Sequence, residues 1–217
     1  MENSILVTGG SGYIGGALVS HLRAEGHKVE APTRKELNVR YIDHIQHFLM
    51  DRKFSAMILC HGGYGMLGKM KELHMSEWGE ALAINLTGTM ALIRYAHVDG
   101  PIIIFGGGQG GRIPLPERSA FAASKAALNA LVLTGAAEGL PIYGVAPGPL
   151  PSMMNHELLR SNISESVKDE MRESLRHGVG VENTLDIIDN ILAGRLTPGQ
   201  FYAAREWVQP LLKVSHA

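Results

Sequence analysis

The sequence predicts an α/β fold, a single doubly wound parallel sheet with helices on both faces. Three observations carry that expectation. Short apolar segments alternate with helix-patterned ones along most of the chain. The first apolar segment ends in a glycine-rich turn that opens a helix. No linker or composition shift divides the 217 residues, so 1–217 is expected to be one domain. Repeated strand–helix alternation yields parallel strands, because each crossover helix covers the face of the sheet it returns along.

Each element has its own signal. SILVTGG (4–10) is a short apolar run closed by glycines, and YIGGALVSHLRAEG (13–26) follows with helical spacing and a glycine stop. HKVEAP (27–32) reads as a second strand, and YIDHIQHFLMDR (41–52) as a helix. FSAMILCHGG (54–63) is a third strand. MSEWGEALAINLTGTMALIRYAH (75–97) is a long helix, PIIIFGGG (101–108) a strand, SAFAASKAALNALVLTGAA (119–137) a second long helix and PIYGVAPG (141–148) another strand. Residues 152–177 are polar and helix-patterned, within a segment 150–180 expected to form a lid over a substrate. NTLDIIDNILAG (183–194) is the last helix, before a short strand near QFYAA (200–204).

Composition narrows the function classes. Hydrophobic residues make up 45% and charged residues 19%, which fits a packed globular chain. A formal net charge of −1 gives no basic field for nucleic acid or an anionic membrane. Ten scattered histidines and one cysteine, Cys60, lack the spacing of a metal site and exclude an internal disulfide. No apolar run is expected to reach the ~18–20 residues of a membrane span. A cytoplasmic protein without nucleic-acid or membrane partners, acting on a small molecule, is the expectation.

The strongest chemical signal is TGGSGYIG (8–15), with Gly9, Gly12 and Gly15 three residues apart between a strand and a helix. Glycine permits the tight turn, lets backbone N–H groups approach a pyrophosphate and allows close helix–strand packing. Such glycines also occur in ordinary tight turns; the alternation around them points to a dinucleotide. At the end of the second strand, Thr33, Arg34 and Lys35 precede the first acid, Glu36. A guanidinium there suits the phosphate of NADP, whereas NAD calls for a carboxylate on its ribose. NADP is favoured over NAD.

Several motifs in order resemble the short-chain dehydrogenases/reductases, nearly end to end. TGGSGYIG looks like their cofactor loop, in the spacing of the extended members. CHGG (60–63) falls where the family has its Asn-Asn-Ala-Gly turn, and SEWGEALAINLTGT (76–89) resembles its long helix with a functional asparagine, here Asn85. FAASKAALNAL (121–131) resembles the active-site helix, and GVAPGPLPS (144–152) the Pro-Gly segment lining the nicotinamide. The resemblance implies a Rossmann-like fold and a homodimer or homotetramer paired through the two long helices, where Ala91, Ala127 and Leu131 suit close contact. The cofactor set it implies, with the motif neighbours, is Gly9, Ser11, Gly12, Tyr13, Ile14, Gly15, Arg34, Asn38, Val39, His61, Gly62, Lys125, Pro147 and Gly148.

The departures concern the reaction itself. The family's tyrosine, which moves the proton, falls on Phe121, and its serine falls in the glycine run 106–108, near Gly107. Lys125, one turn after Phe121, and Asn85 remain. In the family that lysine holds the nicotinamide ribose and lowers the tyrosine pKa, and the asparagine orders a water. The interval from Phe121 to Pro147 is shorter than usual by roughly one helical turn. A phenyl ring exchanges no proton, so another group must serve. His61 and Tyr64 follow the third strand, and Tyr143 and His156 flank the Pro-Gly segment. His61 attracts most because histidine titrates near neutrality. Lys125 with a depressed pKa, or Ser119 or Ser124, are further options, and Cys60 reads as an apolar filler. Two functions stay open. One is an NADP-dependent oxidoreductase moving hydride between cofactor and a carbonyl or alcohol, with a modified proton-delivery site. The other is an NADP(H)-binding pseudoenzyme or redox sensor.

Overall fold

The computed structural model describes residues 4–106 and 114–206, so Gly107 and the rest of the glycine run lie outside the described residues. In chain order the elements are β1 (Ser4–Thr8), α1 (Tyr13–Ala24), β2 (Val29–Glu30), α2 (Ile42–Leu49), β3 (Lys53–Leu59), α3 (Met75–Leu82), a π turn (Ala83–Thr87) and α4 (Gly88–Tyr95). There follow β4 (His97–Val98), β5 (Ile102–Phe105), α5 (Ser119–Ala137), β6 (Ile142–Ala146), α6 (Met153–Arg160), α7 (Glu165–Arg176), α8 (Glu182–Leu192) and β7 (Phe201–Ala203).

The strands form one parallel sheet in the order β2-β1-β3-β5-β6-β7, with β4 beside the start of β3. The short β4 is an element the sequence reading left inside a helix end. Because β1 sits between β2 and β3, the order reverses there. The carboxyl ends of β1 and β3 therefore open onto the crevice where ligands bind in doubly wound sheets.

The strands read as unbroken apolar runs because both faces are covered. Ile5, Val7, Ile58, Ile103 and Val145 face one side, against Leu18 and Leu22 of α1 and Ile187, Ile188 and Ile191 of α8. Leu6, Met57, Leu59, Ile102 and Ile104 face the other, against Ile45 and Phe48 of α2, Leu92 of α4 and Leu128 and Val132 of α5. The two-residue period of the pleat sends neighbours such as Met57 and Ile58 to opposite cores. Each large side chain fully removed from water contributes about 1.5–3 kcal/mol.

Three sequence expectations change. Ala91 does not face outward for pairing; it is 6% exposed and belongs to the core beneath α4, whose outer face carries Met90 and Tyr95 instead. Helical phase decides this: Ala91 is one residue before Leu92, and both turn toward the sheet. α5 overturns the expectation about apolar length, for its 19 residues are long and apolar enough by composition to cross a membrane. Here its Ser124, Lys125, Leu128, Val132 and Gly135 are buried. Finally, the long helix from 75 is interrupted by the π turn, which carries Asn85. Such one-turn widenings concentrate at functional sites because they re-aim a side chain without ending the helix.

Gly144 on β6 and Gly106 after β5 are fixed by packing. The Phe201 ring of β7 lies where a Cβ on either would stand. We predict that Gly144→Ala destabilises the protein by about 1–3 kcal/mol through overpacking. Phe201→Leu in that background should recover part of the loss, read from urea denaturation midpoints; an unchanged midpoint in Gly144→Ala would refute this packing.

Candidate functional site

The turn after β1 is built by steric exclusion. Gly9 has φ +67, and a Cβ there would come within 2.8 Å of the His61 amide nitrogen and 2.9 Å of the Cys60 carbonyl carbon. A Cβ on Gly15 would run into the Gly9 carbonyl, so the third glycine lets α1 press against the turn. Gly12 caps α1 without any side-chain hydrogen bond, and Ser11, Gly12 and Tyr13 are exposed. The first backbone N–H groups of α1, those of Tyr13, Ile14 and Gly15, have no intrahelical acceptor and no side-chain cap. This cradle fits the pyrophosphate of a dinucleotide: positive helix end, open approach, no side chain in the way.

Past β2 the chain presents its charges unevenly. Glu30, the carboxylate on β2 itself, accepts from the Ser4 hydroxyl at 2.5 Å and lies 3.6 Å from Arg52. Glu36 accepts from both the backbone and the hydroxyl of Thr33, which holds its carboxyl below the ordinary range. Arg34 and Lys35 stand exposed between these two occupied acids. Asn38 turns its carboxamide oxygen to the Arg40 amide, and the Val39 carbonyl lies where a side chain at Gly88 would collide. That contact brings Asn38 and Val39 to the start of α4.

At the end of β3, His61 is bracketed. Its Nδ1 lies 2.7 Å from the Thr8 hydroxyl and its Nε2 3.2 Å from that of Thr89. Burial and then the nearby Lys125 charge push its pKa down to about 4. The ring is therefore neutral near pH 7 and occupied on both sides, which removes it as the proton donor the sequence suggested. It works instead as a wedge joining β1, β3 and α4. Burial pushes the Cys60 thiol up, in keeping with a filler. Tyr143 turns to the Leu196 carbonyl at 3.5 Å, on the α8 side of the sheet, and His156 is exposed on α6.

Asn85, Gly62, Phe121 and Lys125 do come together. The Asn85 carboxamide accepts from the Gly63 N–H at 3.0 Å and donates to the Gly63 carbonyl at 2.9 Å and the Ser124 hydroxyl at 3.1 Å. Ser124 in turn donates to the Phe121 carbonyl at 2.9 Å. Lys125 donates to the Phe105 carbonyl at 2.6 Å, with its ammonium 5.6 Å from the centre of the Phe121 ring. Burial lowers its pKa to about 8. A Cβ on Gly62, whose φ is +147, would stand 3.8 Å from that ammonium. Pro147 and Gly148 follow β6 at the same end of the sheet, with Gly148 exposed at φ +75.

Over this group lie α6 and α7. Tyr64, Leu158, Ile163, Val167 and Met171 form a third core, against which Phe121, Leu67 and Met154 pack. The Tyr64 and Phe121 rings are 4.7 Å apart and tilted by 56°. The Tyr64 hydroxyl donates to Asn155 at 2.7 Å, and Asn155 is held by the Leu150 carbonyl. The turn before α5 fastens α7: Glu117, at φ +59, accepts from the Ser164 N–H, while Arg118 pairs with Glu170 at 3.0 and 3.2 Å. Sequence reasoning missed Arg118, Glu117 and Asn155, since their partners lie tens of residues away and no local spacing marks them.

His61 makes stability depend on pH. Its folded pKa, about 4, lies below the unfolded value near 6.5, so as pH falls through that window only the unfolded chain takes the proton. Stability is fully present above about pH 6.5 and declines, by roughly 3 kcal/mol, on going to pH 4. Denaturation curves across that range should show a smaller acid loss in His61→Asn than in the wild type, and an equal loss would exclude this source.

Residues 5–163 match the NAD dependent epimerase/dehydratase family. No curated protein sequence matches significantly. Among solved structures, the ligand-free aldohexose dehydrogenase of Thermoplasma acidophilum is 18% identical, with a TM-score of 0.76 over 93% of this chain and 92% of that one. A small-chain dehydrogenase in complex with NADPH is 20% identical, with a TM-score of 0.77 over 94% and 96%. A short chain dehydrogenase family protein of Francisella tularensis subsp. tularensis SCHU S4 is 16% identical, with a TM-score of 0.76 over 94% and 97%. At these identities the likeness is one of fold. With its glycine cradle, its buried lysine and asparagine, and a family match covering most of its length, the chain belongs to the NAD dependent epimerase/dehydratase family.

Proposed function

We propose that the protein is an NADP-dependent oxidoreductase of the short-chain dehydrogenase/reductase type, acting between a small carbonyl compound and its alcohol. Its proton-delivery site is modified, because Phe121 stands where the family has its tyrosine. The observation that carries this reading is the buried Lys125–Asn85 group beside the glycine cradle: a protein holding only an adenosine would have no use for it. When bound, the cofactor supplies or accepts a hydride. The chain's own part is to hold the pyrophosphate on Gly9, Gly12 and the first turn of α1, and the nicotinamide ribose on Lys125. Gly62, Pro147 and Gly148 border the ring, and residues 150–180 act as a lid that keeps water out. A side chain at position 106 would run into the Phe201 ring.

The preference for NADP rests on Arg34, exposed between two carboxylates that are already engaged. A charge-assisted contact to the extra phosphate contributes about 1.5–3 kcal/mol, or roughly ten- to over a hundredfold in affinity. Titration of cofactor fluorescence should show NADPH binding well above NADH, with most of the difference lost in Arg34→Ala. Equal affinities would rule NADP preference out. Oxidation of NADPH against a panel of ketones, aldehydes and diketones tests the activity itself. Tight NADPH binding with no turnover would instead favour the sensor reading, which has the apolar packing of Phe121 behind it.

Pairing with a second copy is proposed through α4 and α5, with Met90, Tyr95, Ala123, Ala130 and Leu133 on the exposed face. An apolar helix exposed on that side has surface to bury on association. Light scattering is expected to return two or more chain masses at micromolar concentration; a single mass would refute it.

A further inference from the structure

Resting on the NADP reading, we infer that Glu36 is a positioning residue for cofactor discrimination. Closed onto Thr33, it fixes the turn that presents Arg34 and withholds the turn's own carboxylate from the adenosine ribose. One carboxylate oxygen carries this. Glu36 Oε2 accepts from the Thr33 N–H at 2.7 Å and from the Thr33 hydroxyl at 2.8 Å. The backbone answers in the other direction, for the Thr33 carbonyl accepts from the Glu36 N–H at 3.1 Å and the Leu37 N–H at 2.9 Å. Arg34 and Lys35 are enclosed by this loop, and both are exposed.

The ends of the turn are anchored independently of Glu36. Upstream, a Cβ on Gly10 would stand 2.9 Å from the Ala31 Cβ, so the chain leaving β2 runs against the glycine turn of the cradle. Pro32 follows, with its φ fixed by the ring. Downstream, Leu37 is 5% exposed, in the core with Ile45 and Phe48 of α2, and Asn38 accepts from the Arg40 N–H at 3.2 Å. These anchors set the turn beside the cradle but leave four exposed residues, Thr33 to Glu36, between them. The Thr33–Glu36 closure orders that span. A glutamate reaching back to the N–H of a threonine three residues earlier is one half of a capping box, which holds a single turn in helical form.

Charge explains why the closure bears on the cofactor. A loose carboxylate two residues from Arg34 has two other uses. It can pair with that guanidinium, or it can accept from ribose hydroxyls as a site for NAD requires. Either works against the extra phosphate, the first by occupying the cation and the second by setting like charge beside it. Both donors to Glu36 come from the uncharged Thr33, so the carboxylate is spent and the guanidinium is left exposed.

Titration of cofactor fluorescence with NADPH and NADH in parallel tests this. Glu36→Ala should weaken NADPH binding about tenfold, because the turn that presents Arg34 becomes a minor state. NADH makes no use of Arg34, so its affinity should match the wild type and report an intact cradle. Glu36→Gln keeps an acceptor oxygen for Thr33 and should keep the preference for NADPH. In an Arg34→Ala background, Glu36→Ala should weaken NADPH no further, since Glu36 acts only through Arg34.

A further loss in that double variant overturns the inference, as does an equal loss of both cofactors in Glu36→Ala. NADPH binding that tightens in both Glu36→Ala and Glu36→Gln makes the carboxylate a mere repulsive charge, and overturns it too. A wild type that prefers NADPH, with Glu36→Ala unchanged, overturns this inference and leaves the NADP reading standing. Equal affinities in the wild type overturn the NADP reading, and this inference with it.

Discussion

The contact between the turn after β1 and the end of β3 orders most of what surrounds it. Gly9 lies against the backbone of Cys60 and His61, closer than any residue with a side chain could. That approach sets where α1 begins, so it fixes the direction of the uncapped N–H groups at the helix start. It also brings Thr8 to His61, whose other nitrogen reaches Thr89 on α4. A backbone contact made possible by one missing Cβ thus aligns the cradle with the helix that carries Asn85.

Asn85 passes that alignment on. Three of its hydrogen bonds, two to Gly63 and one to Ser124, join the loop after β3 to α5. A carboxamide can both donate and accept in one plane, which lets it bracket a peptide unit in a way a carboxylate or hydroxyl cannot. The π turn makes this possible, since it carries Asn85 within an otherwise continuous helix. The buried Lys125 is the costly element of the arrangement. Its ammonium is lowered to about 8 by burial and is satisfied by the Phe105 carbonyl. A chain that needed only a packed helix would place an apolar residue there.

The pair α6–α7 packs over Tyr64 and Phe121 with two kinds of force. Leu158, Val167 and Met171 cover Tyr64 and Phe121, while Glu117 and Arg118 hold α7 by polar contacts. The apolar part is indifferent to what lies beneath it. The ion pair is not, for a guanidinium 3% exposed is strongly destabilised when its carboxylate leaves without replacement. The ion pair therefore fastens α7 to the start of α5.

By itself the sequence determined the order of strands and helices and the glycine turn, and its resemblance to a family singled out Asn85 and Lys125. The order and the turn rest on local rules, period and turn residues, whereas the two site residues rest on the resemblance. Even so, β4 stayed hidden, because a two-residue strand has no period to read. Only the tertiary structure decided which side chains are already spent. His61 looked like a titrating donor until Thr8 and Thr89 were found on either side of it. Glu30, a carboxylate on β2, is engaged by Ser4 and Arg52. Ala91 was assigned outward until helical phase turned it to the core. Tyr64 and Phe121, 57 positions apart in the sequence, meet only because the sheet order brings the ends of β3 and β5 together. Burial and partners at long separation settle such questions, and neither is written in the residues around any one position.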